Sequence, residues 1–413
     1  MHEEYKNNHY VPVWYQKQFV LNPSSDRALC YLDLNPPKFF DSKGNTHTGK
    51  AMRKFSFSQC FSEKDLYTIN FKNVESRKIE KYFFGDVDTR GRLAVQWCAN
   101  FSHPWDGSDH FNDLLTYMST QKLRTPKGLA WLSDQIHRGT EHDKNNVLAQ
   151  MVRLRQVYSA LWMECVWLIA DASKSDTKFI ISDHPVTVYN RRCDPQSYKC
   201  RKHNDPDIRL HATQTIFPLS LDKVLILTNL SWVRDPYQNE LHMRPNPNLF
   251  RDAIMKITDI QTSRFLSEEE VRQINFIIKS RAYRYVAAAK EEWLYPEKYV
   301  SEPDWSKYGN GYLLMPDPRG VTYTSGIFFG NKNGTGSAFD EYGRRPGEAG
   351  YRIDRDGADE DWDTSHQFQG EFARLFGPYR RGRAFNHVNL DNKRDTDEFH
   401  KYHLSLESDK TKR

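Results

Sequence analysis

The spacing of apolar residues changes between residues 171 and 178, and this change constrains the fold more than any other feature of the chain. Earlier segments repeat apolar residues every three or four positions, which indicates amphipathic helices. The later segments KFIISDHPVTVYN (178–190) and TIFPLSLDKVLILTNL (215–230) are typical of strands, and the second predicts a hairpin around residues 221–223. Helices followed by strands predict an α+β fold, with helices packed around a small, mainly antiparallel sheet.

Capping and helix-breaking residues suggest where the helices begin and end. Thr125 suits an N-cap and Pro126 suits the first position of the helix that follows. Ser267 opens a capping-box pattern. Gly85 and Gly91 predict a kink or a split in the first helix. The predicted helices cover residues 76–100, 111–123, a segment from 126, 146–171 with a buried apolar part at 161–170, and 267–280.

The 413 residues exceed one typical domain and divide by composition. Residues 1–296 carry the periodic segments and predict one core domain. Residues 297–413 are rich in Gly, Asp and Arg and predict an irregular C-terminal extension, with one short helix at 366–376.

Composition narrows the class of protein. No apolar run is long enough to span a bilayer and no apolar leader opens the chain, so we expect a cytoplasmic protein with no membrane partner. A net charge of +5 is compatible with a polyanionic partner but does not require one. Among six scattered cysteines, Cys193 and Cys200 with His203 permit a metal site, although ordinary reduced thiols are the favoured interpretation.

Five polar residues lie in strongly apolar or ordered surroundings, where an unpaired charge is costly. Glu80 precedes an aromatic run, and Asp183 interrupts a β segment. Gln121 and Arg124 lie one helical turn apart, just before a helix end. His9 stands near the start of the chain. These residues are His9, Glu80, Gln121, Arg124 and Asp183.

Several of these positions belong to a set of ordered motifs. The opening HYVPVWYQKQF (9–19) resembles the signature of a bacterial family known as domain of unknown function 4238. Similar fragments follow in the same order, at 79–80 (IE), 121–126 (QKLRTP), 182–185 (SDHP), 217–220 (FPLS) and 275–285 (N to Y). The resemblance covers about residues 7–290 and implies a shared fold and linked positions, without an established activity. The family carries a second acid about two turns after its first Glu, where this chain offers Asp86 or Asp88.

One hypothesis joins the carboxylates into a metal site. Glu80 and Asp183, with Asp88 or Asp86 as a third ligand, would hold Mg²⁺ or Mn²⁺ through oxygen ligands. His9 would serve as a general acid or base, so that the predicted catalytic residues are His9, Glu80 and Asp183. Such a set suits metal-assisted phosphodiester hydrolysis.

The substrate in this hypothesis is a nucleic acid or a nucleotide. Gln121 and Arg124 would bind it, and Arg281 or Arg284 would help to clamp a phosphate, because guanidinium matches phosphate geometry. The type of protein suggests a toxin or a phage-defence effector.

Two other interpretations use the same residues. In a non-enzymatic binding protein, Arg124 and Gln121 would hold an anion, a nucleotide or a nucleic acid. In a purely structural interpretation, Arg124 would pair with Glu80 or Asp183, and Asp183 would cap the turn that Pro185 enforces. His184 points to the opposite face of an ideal strand from Asp183 and receives less weight.

Overall fold

The computed structural model describes residues 7–67, 69–71, 74–76, 84–102, 108–136, 144–245, 259–300, 304–305, 312–318, 321, 327–340, 342–351, 358–377, 383–384 and 401. The helices in this part of the chain are α1 (Val13–Gln16), α2 (Gly85–Ala99), α3 (Ser108–Arg124), α4 (Pro126–Ile136), α5 (Lys144–Met163), α6 (Leu230–Arg234), α7 (Glu268–Arg281) and α8 (Ala358–Phe376). None of them is long and apolar enough to cross a membrane.

The strands form several sheets, and most neighbouring strands are antiparallel. They are β1 (Asn7–His9), β2 (Ala28–Asp33), β3 (Lys38–Phe40), β4 (Thr46–Thr48), β5 (Met52–Ser56), β6 (Ser62–Lys64), β7 (Ile69–Phe71), β8 (Val74–Ser76), β9 (Cys165–Asp171), β10 (Ile181–Ser182), β11 (Thr187–Tyr189), β12 (Gln214–Pro218), β13 (Lys223–Asn229), β14 (Gln261–Phe265), β15 (Tyr285–Ala288), β16 (Ile327–Gly330), β17 (Gly336–Phe339) and β18 (Arg383–Ala384). The predicted α+β class is therefore confirmed.

A six-stranded sheet organises the core in the order β11-β12-β13-β9-β14-β18. Its neighbouring pairs are antiparallel except β14 and β9, which run parallel. A second, four-stranded antiparallel sheet has the order β10-β15-β2-β5. The chain passes from this sheet to the six-stranded sheet between β10 and β11, at the break that contains Asp183 and Pro185. The predicted hairpin is present as β12 and β13, and Ser267 caps α7 in a capping box with Glu270.

The prediction that residues 161–170 are a buried helix is wrong. Helix α5 ends at Met163, and β9 begins at Cys165 between β13 and β14. Residues 166–170 are apolar and buried, so both faces of this part of the strand are apolar. A strand covered on both faces has a continuous apolar run, which its period does not distinguish from a buried helix.

Helix α2 continues through Gly91, where a kink or a split was expected. A Cβ at Gly91 would lie 2.5 Å from Cδ2 of Tyr117 in α3. The glycine therefore permits close packing of two helices. The predicted start of this helix at Ser76 is wrong, because Ser76 ends strand β8. Residues 77–83, which include Glu80, lie outside the described residues.

Part of the C-terminal extension packs on the core. Helix α8 has 19 residues and begins at Ala358, eight residues earlier than predicted. Its Phe368 and Phe372 are fully buried in a cluster with Trp232 and Val233 of α6. Strand β18 pairs with β14 at the edge of the six-stranded sheet. The boundary near residue 296 stays a prediction.

Candidate functional site

Helices α3 and α4 meet at a tight corner that supplies side chains to two cavities. The hydroxyl of Thr125 accepts a hydrogen bond from the backbone N–H of Gly128 at 3.2 Å, as expected of an N-cap. A Cβ at Gly128 would lie 2.3 Å from the carbonyl oxygen of Lys122. Only glycine fits this corner without a backbone shift.

The first cavity, which we call the histidine cavity, has a volume of about 320 Å³. His9, Trp14, Phe84, Asp88 and Arg124 are among the residues that line it. The sequence motifs around His9 and Arg124 therefore meet in space, although more than a hundred residues separate them.

Arg124 is buried in this cavity and its guanidinium is held on several sides. One terminal nitrogen lies 2.8 Å from Oδ1 of Asp88, and Nε donates to Oε1 of Gln121 at 2.8 Å. Gln121 in turn donates to the carbonyl of Tyr10 at 2.7 Å. The guanidinium also lies over the ring of Phe84, at 5.4 Å from its centroid. Asp88 thus neutralises Arg124, and Gln121 orients it.

Two other polar side chains of this cavity, those of His9 and Trp14, retain hydrogen-bonding capacity that the described residues do not use. Nε2 of His9 lies 3.2 Å from the carbonyl oxygen of Ser58, and the side chain remains half-buried. The indole nitrogen of Trp14 is buried without a hydrogen-bond partner in the described part of the chain. Asp86, the alternative acid, instead forms an exposed ion pair with Arg90.

Asp183 lies elsewhere and caps the turn before β15. Its two carboxylate oxygens accept backbone N–H groups from Tyr283, Arg284 and Tyr285 at 2.6–2.9 Å. Burial raises the pKa of Asp183 to about 6, although these three donors favour the ionised form. Asp183 therefore has a structural role, but it caps the turn at residues 283–285 and not the turn at Pro185 that the structural interpretation predicted.

The two arginines proposed as phosphate clamps have other contacts. Arg284 forms a bidentate ion pair with Asp33, in which Nε and Nη2 donate to the carboxylate at 3.0 and 2.8 Å. Arg281 donates to the carbonyls of Cys193 and Cys200. Of the predicted site, the structure therefore brings together His9, Asp88, Arg124 and, behind them, Gln121.

The described residues contain no group of three His, Cys, Asp or Glu side chains placed to hold a metal ion. Glu80, which the metal hypothesis requires, lies outside these residues. His203 is not joined to Cys193 and Cys200 in such a group, and its Nε2 lies 2.6 Å from Asp134.

The second cavity, which we call the lysine cavity, has a volume of about 380 Å³ and lies on the other side of the corner. Lys122 and Lys127 enter it from α3 and α4, and His184 and Asp205 complete its polar part. Its apolar walls include Leu123, Trp131, Leu154, Val157, Tyr158, Val188 and Ile208.

Lys122 is 4% exposed and has an acceptor for each of its three protons. These are Nε2 of His184 at 2.8 Å, the carbonyl of Val186 at 3.2 Å, and a close contact with Oδ2 of Asp205. Burial lowers the pKa of Lys122 to about 8, against the attraction of Asp205.

His184 is neutral and its tautomer follows from its neighbours. Nε2 lies 2.8 Å from the ammonium of Lys122 and 3.2 Å from Oδ2 of Asp205. Because an ammonium can only donate, Nε2 accepts from Lys122, and Nδ1 donates to the hydroxyl of Thr125 at 2.7 Å. Burial, followed by the positive charge of Lys122, lowers the pKa of His184 to about 3. His184 and Asp183 contact different neighbours, but both lie in the bend after β10 (Ile181–Ser182), so the alternation of an ideal strand is not the reason.

Lys127 is 2% exposed and has fewer acceptors than protons. Its ammonium donates to Oδ1 of Asp205 at 2.7 Å and to the carbonyl of Arg281 at 2.8 Å. The described residues provide no third acceptor. Two ammonium groups against one carboxylate leave this cluster with one excess positive charge, since Arg209 at the rim is paired with Asp207.

The sequence interpretation missed both lysines. The sequence does contain an indication of these buried lysines. Lys122 lies between Gln121 and Leu123 in a helix with many apolar residues, and Lys127 directly follows Pro126. Lysine is rarely buried without a partner, so two such lysines on either side of a helix break indicate a shared counterion. Asp205 lies in a polar loop, where nothing in the sequence distinguishes it from its neighbours.

Comparisons with known proteins give a family and no activity. No curated protein matches the chain, and no solved structure matches it. One family model matches residues 7–292, which include the motifs around His9, Gln121, Asp183 and Asn275. The chain therefore belongs to the family described as protein of unknown function (DUF4238).

Proposed function

We propose that the protein binds an organic anion, such as a nucleotide, in the lysine cavity. The observation that carries this proposal is the third proton of Lys127, for which the described residues offer no acceptor. A buried ammonium with an unused donor is costly unless a ligand or water completes it. An anionic group of a ligand would supply both the acceptor and the missing negative charge.

The walls of the cavity define the rest of the ligand. Trp131, Tyr158 and aliphatic side chains form most of the lining, so the ligand should carry an apolar or aromatic body beside its anionic group. Inorganic phosphate alone would leave these walls uncovered. A nucleoside monophosphate, with a flat base and a phosphate, meets both requirements.

The test compares AMP, inorganic phosphate and uncharged adenosine by thermal unfolding and by calorimetric titration. We expect AMP to raise the melting temperature more than phosphate does, because a ligand selective for the folded state stabilises it. Adenosine should have little effect. Binding should weaken as the pH rises through about 8, where Lys122 loses its proton. Equal shifts with AMP and adenosine would exclude an anion site.

A matched pair of variants assigns the site. Lys127→Gln should lower the affinity for AMP at least tenfold, which corresponds to about 1.4 kcal/mol. Lys127→Arg should retain part of the binding, because it keeps the charge. Lys43→Gln removes an exposed lysine outside the cavity and should leave the affinity unchanged. Similar affinities for Lys127→Gln and Lys43→Gln, in variants that fold, would refute the proposal.

A second candidate is metal-dependent hydrolysis of a nucleic acid or nucleotide at the histidine cavity. It is supported by the position of His9, Asp88 and Arg124, which line the same cavity. In this reading His9 moves a proton, and Asp88 shares a divalent cation with ligands outside the described residues. Roles as a nuclease, a toxin or a phage-defence effector stay predictions.

This second candidate predicts turnover that depends on metal. RNA, DNA and nucleotides are incubated with the protein and Mg²⁺, Mn²⁺ or EDTA. Cleavage that EDTA stops, and that His9→Ala and Asp88→Asn abolish while Asp86→Asn does not, would support hydrolysis. Binding of AMP without any turnover would favour the anion-binding function alone.

A further inference from the structure

A separate hollow, which we call the aromatic pocket, has a volume of about 470 Å³. The aromatic residues that line it are Tyr189, Trp232, Tyr237 and Tyr312. Tyr189 lies in β11 and Trp232 in α6, whereas Tyr312 lies beyond residue 292, where the family model ends. A volume of this size is typical of small-molecule sites.

Gln214 of β12 also lines the pocket and is 5% exposed, yet one atom of its amide is unused. Its Nε2 donates to Oγ1 of Thr228 at 2.8 Å and to the carbonyl oxygen of Leu314 at 2.9 Å. Because a carbonyl oxygen only accepts, the second contact fixes which end of the amide is the nitrogen. The described residues supply no donor to Oε1 of Gln214, so this oxygen remains an acceptor for a ligand.

Two other polar groups of the lining are unused donors. Trp232 is 6% exposed, and its indole N–H has no acceptor among the residues that the structure describes. Oδ1 of Asn239 accepts the backbone N–H of Leu241 at 2.9 Å, so Nδ2 of Asn239 is free to donate. The pocket therefore presents both an acceptor and donors beside aromatic rings.

The charged side chains of the lining neutralise each other. They are Arg191 and Glu240, and Nε of Arg191 donates to Oε1 of Glu240 at 2.5 Å. An anionic ligand would have to compete with Glu240 for this guanidinium, and a cationic ligand would have to compete with Arg191. In contrast to the lysine cavity, the aromatic pocket therefore favours a neutral ligand.

We propose that the aromatic pocket binds a neutral sugar. The faces of aromatic rings carry partial negative charge, which attracts the C–H groups on the face of a sugar ring. Each sugar hydroxyl both donates and accepts, so hydroxyls match Oε1 of Gln214 as well as the N–H groups of Trp232 and Asn239. The proposal is independent of anion binding, because the aromatic pocket and the lysine cavity share no lining residue.

Saturation-transfer NMR with the whole chain tests this site. The probes are the uncharged sugars glucose, galactose, N-acetylglucosamine, maltose and lactose, with adenine and uracil as flat ligands that lack a sugar ring. We expect at least one sugar to receive saturation, and Lys127→Gln to leave its affinity unchanged. Absence of saturation for every sugar, or saturation of the bases alone, would overturn the proposal.

A matched pair of tyrosine variants assigns the binding to this pocket. Tyr237 is 43% exposed, so Tyr237→Ala removes a ring from the pocket wall without opening the core. This change should weaken sugar binding at least about fivefold, whereas Tyr237→Phe should retain most of it, because it keeps the ring. Tyr198→Ala removes an exposed ring outside the pocket and should leave the affinity unchanged. Equal affinities for Tyr237→Ala and Tyr198→Ala would contradict the assignment.

Discussion

At the scale of single residues, protonation in the lysine cavity is set by burial. His184 stays neutral because it is enclosed and faces the ammonium of Lys122, whereas the two lysines hold Asp205 ionised. Histidine is normally half protonated near pH 6.5, so the unfolded chain takes up a proton that the folded chain refuses. Folding is therefore linked to pH at His184.

The predicted consequence is a loss of stability in mild acid. Between pH 6.5 and about 3 the unfolded state binds more protons at His184, so the free energy of unfolding should fall by up to about 1.4 kcal/mol per pH unit. Asp183 acts in the opposite direction between pH 3.8 and about 6, because its folded pKa is raised. The wild-type curve alone therefore does not isolate His184.

Denaturant titrations of the wild type and His184→Gln between pH 4 and 8 make this separation. The difference between the two proteins should depend on pH below about 6.5, because only the wild type carries His184. Parallel curves for His184→Gln and the wild type would show that the histidine titrates normally.

The same scale shows which parts of a site a sequence can reveal. The sequence predicts that His9, Gln121 and Arg124 lie close together, because polar residues in apolar segments need partners. In the structure, His9 and Arg124 line one cavity and Gln121 accepts a hydrogen bond from Arg124. Asp183 was recognised as unusual, yet its three backbone donors come from residues 283–285. A side-chain-to-backbone cap formed across a hundred residues leaves no local pattern, so a metal ligand and a cap look alike in the sequence.

At the scale of elements, the corner between α3 and α4 is the feature on which both cavities depend. Pro126 and Thr125 made its position predictable, but the need for Gly128 was visible only in three dimensions. Strand β9 was mistaken for helix because it is apolar on both faces. Helix α8 begins eight residues before the predicted start, in an acidic segment, and acidic residues are favourable at a helix N-terminus.

Gly128→Ala provides a test at this scale. Helix propensity alone predicts that alanine would stabilise α4 by about 1 kcal/mol. We expect instead a loss of about 1–3 kcal/mol or more, because the new Cβ would meet backbone atoms of Lys122 and Leu123, which do not yield as a side chain does. The measurement is the free energy of unfolding in urea.

Gly330→Ala is the matched control, since a Cβ there meets nothing within 4 Å and the position is in strand β16. It should change stability by less than about 0.5 kcal/mol. If Gly128→Ala proved as neutral as Gly330→Ala, the corner would be able to open, and the tight packing described above would not position the lysines.

At the scale of the whole molecule, the C-terminal extension completes the core. The guanidinium of Arg264 in β14 is fully buried and lies 4.1 Å from the ring centroid of Phe376. Gln261, in the same strand, exchanges hydrogen bonds with the backbone of Asp317 at 2.6 and 2.7 Å. The family model ends at residue 292, yet polar groups of the matched region find their partners beyond it.

Truncating one buried ring of α8 measures this contribution. Phe372→Ala should lower the free energy of unfolding by about 3–5 kcal/mol, because it leaves a cavity and uncovers Arg264. Phe328→Ala, at a phenylalanine that is 68% exposed, should change it by less than about 0.5 kcal/mol. Equal stability of the two variants would mean that the extension is dispensable for the core.

We expect the shared corner to couple the two cavities, provided that a ligand bound in one of them displaces it. Arg124 and Lys122 are two residues apart on α3, yet the first lines the histidine cavity and the second lines the lysine cavity. A ligand that displaces this corner when it binds in one cavity would change the affinity of the other cavity for its own ligand. Thermodynamic reciprocity then requires each ligand to change the affinity of the other by the same factor. Ligand binding in one cavity would then be measurable as a shift in the binding curve of the other cavity.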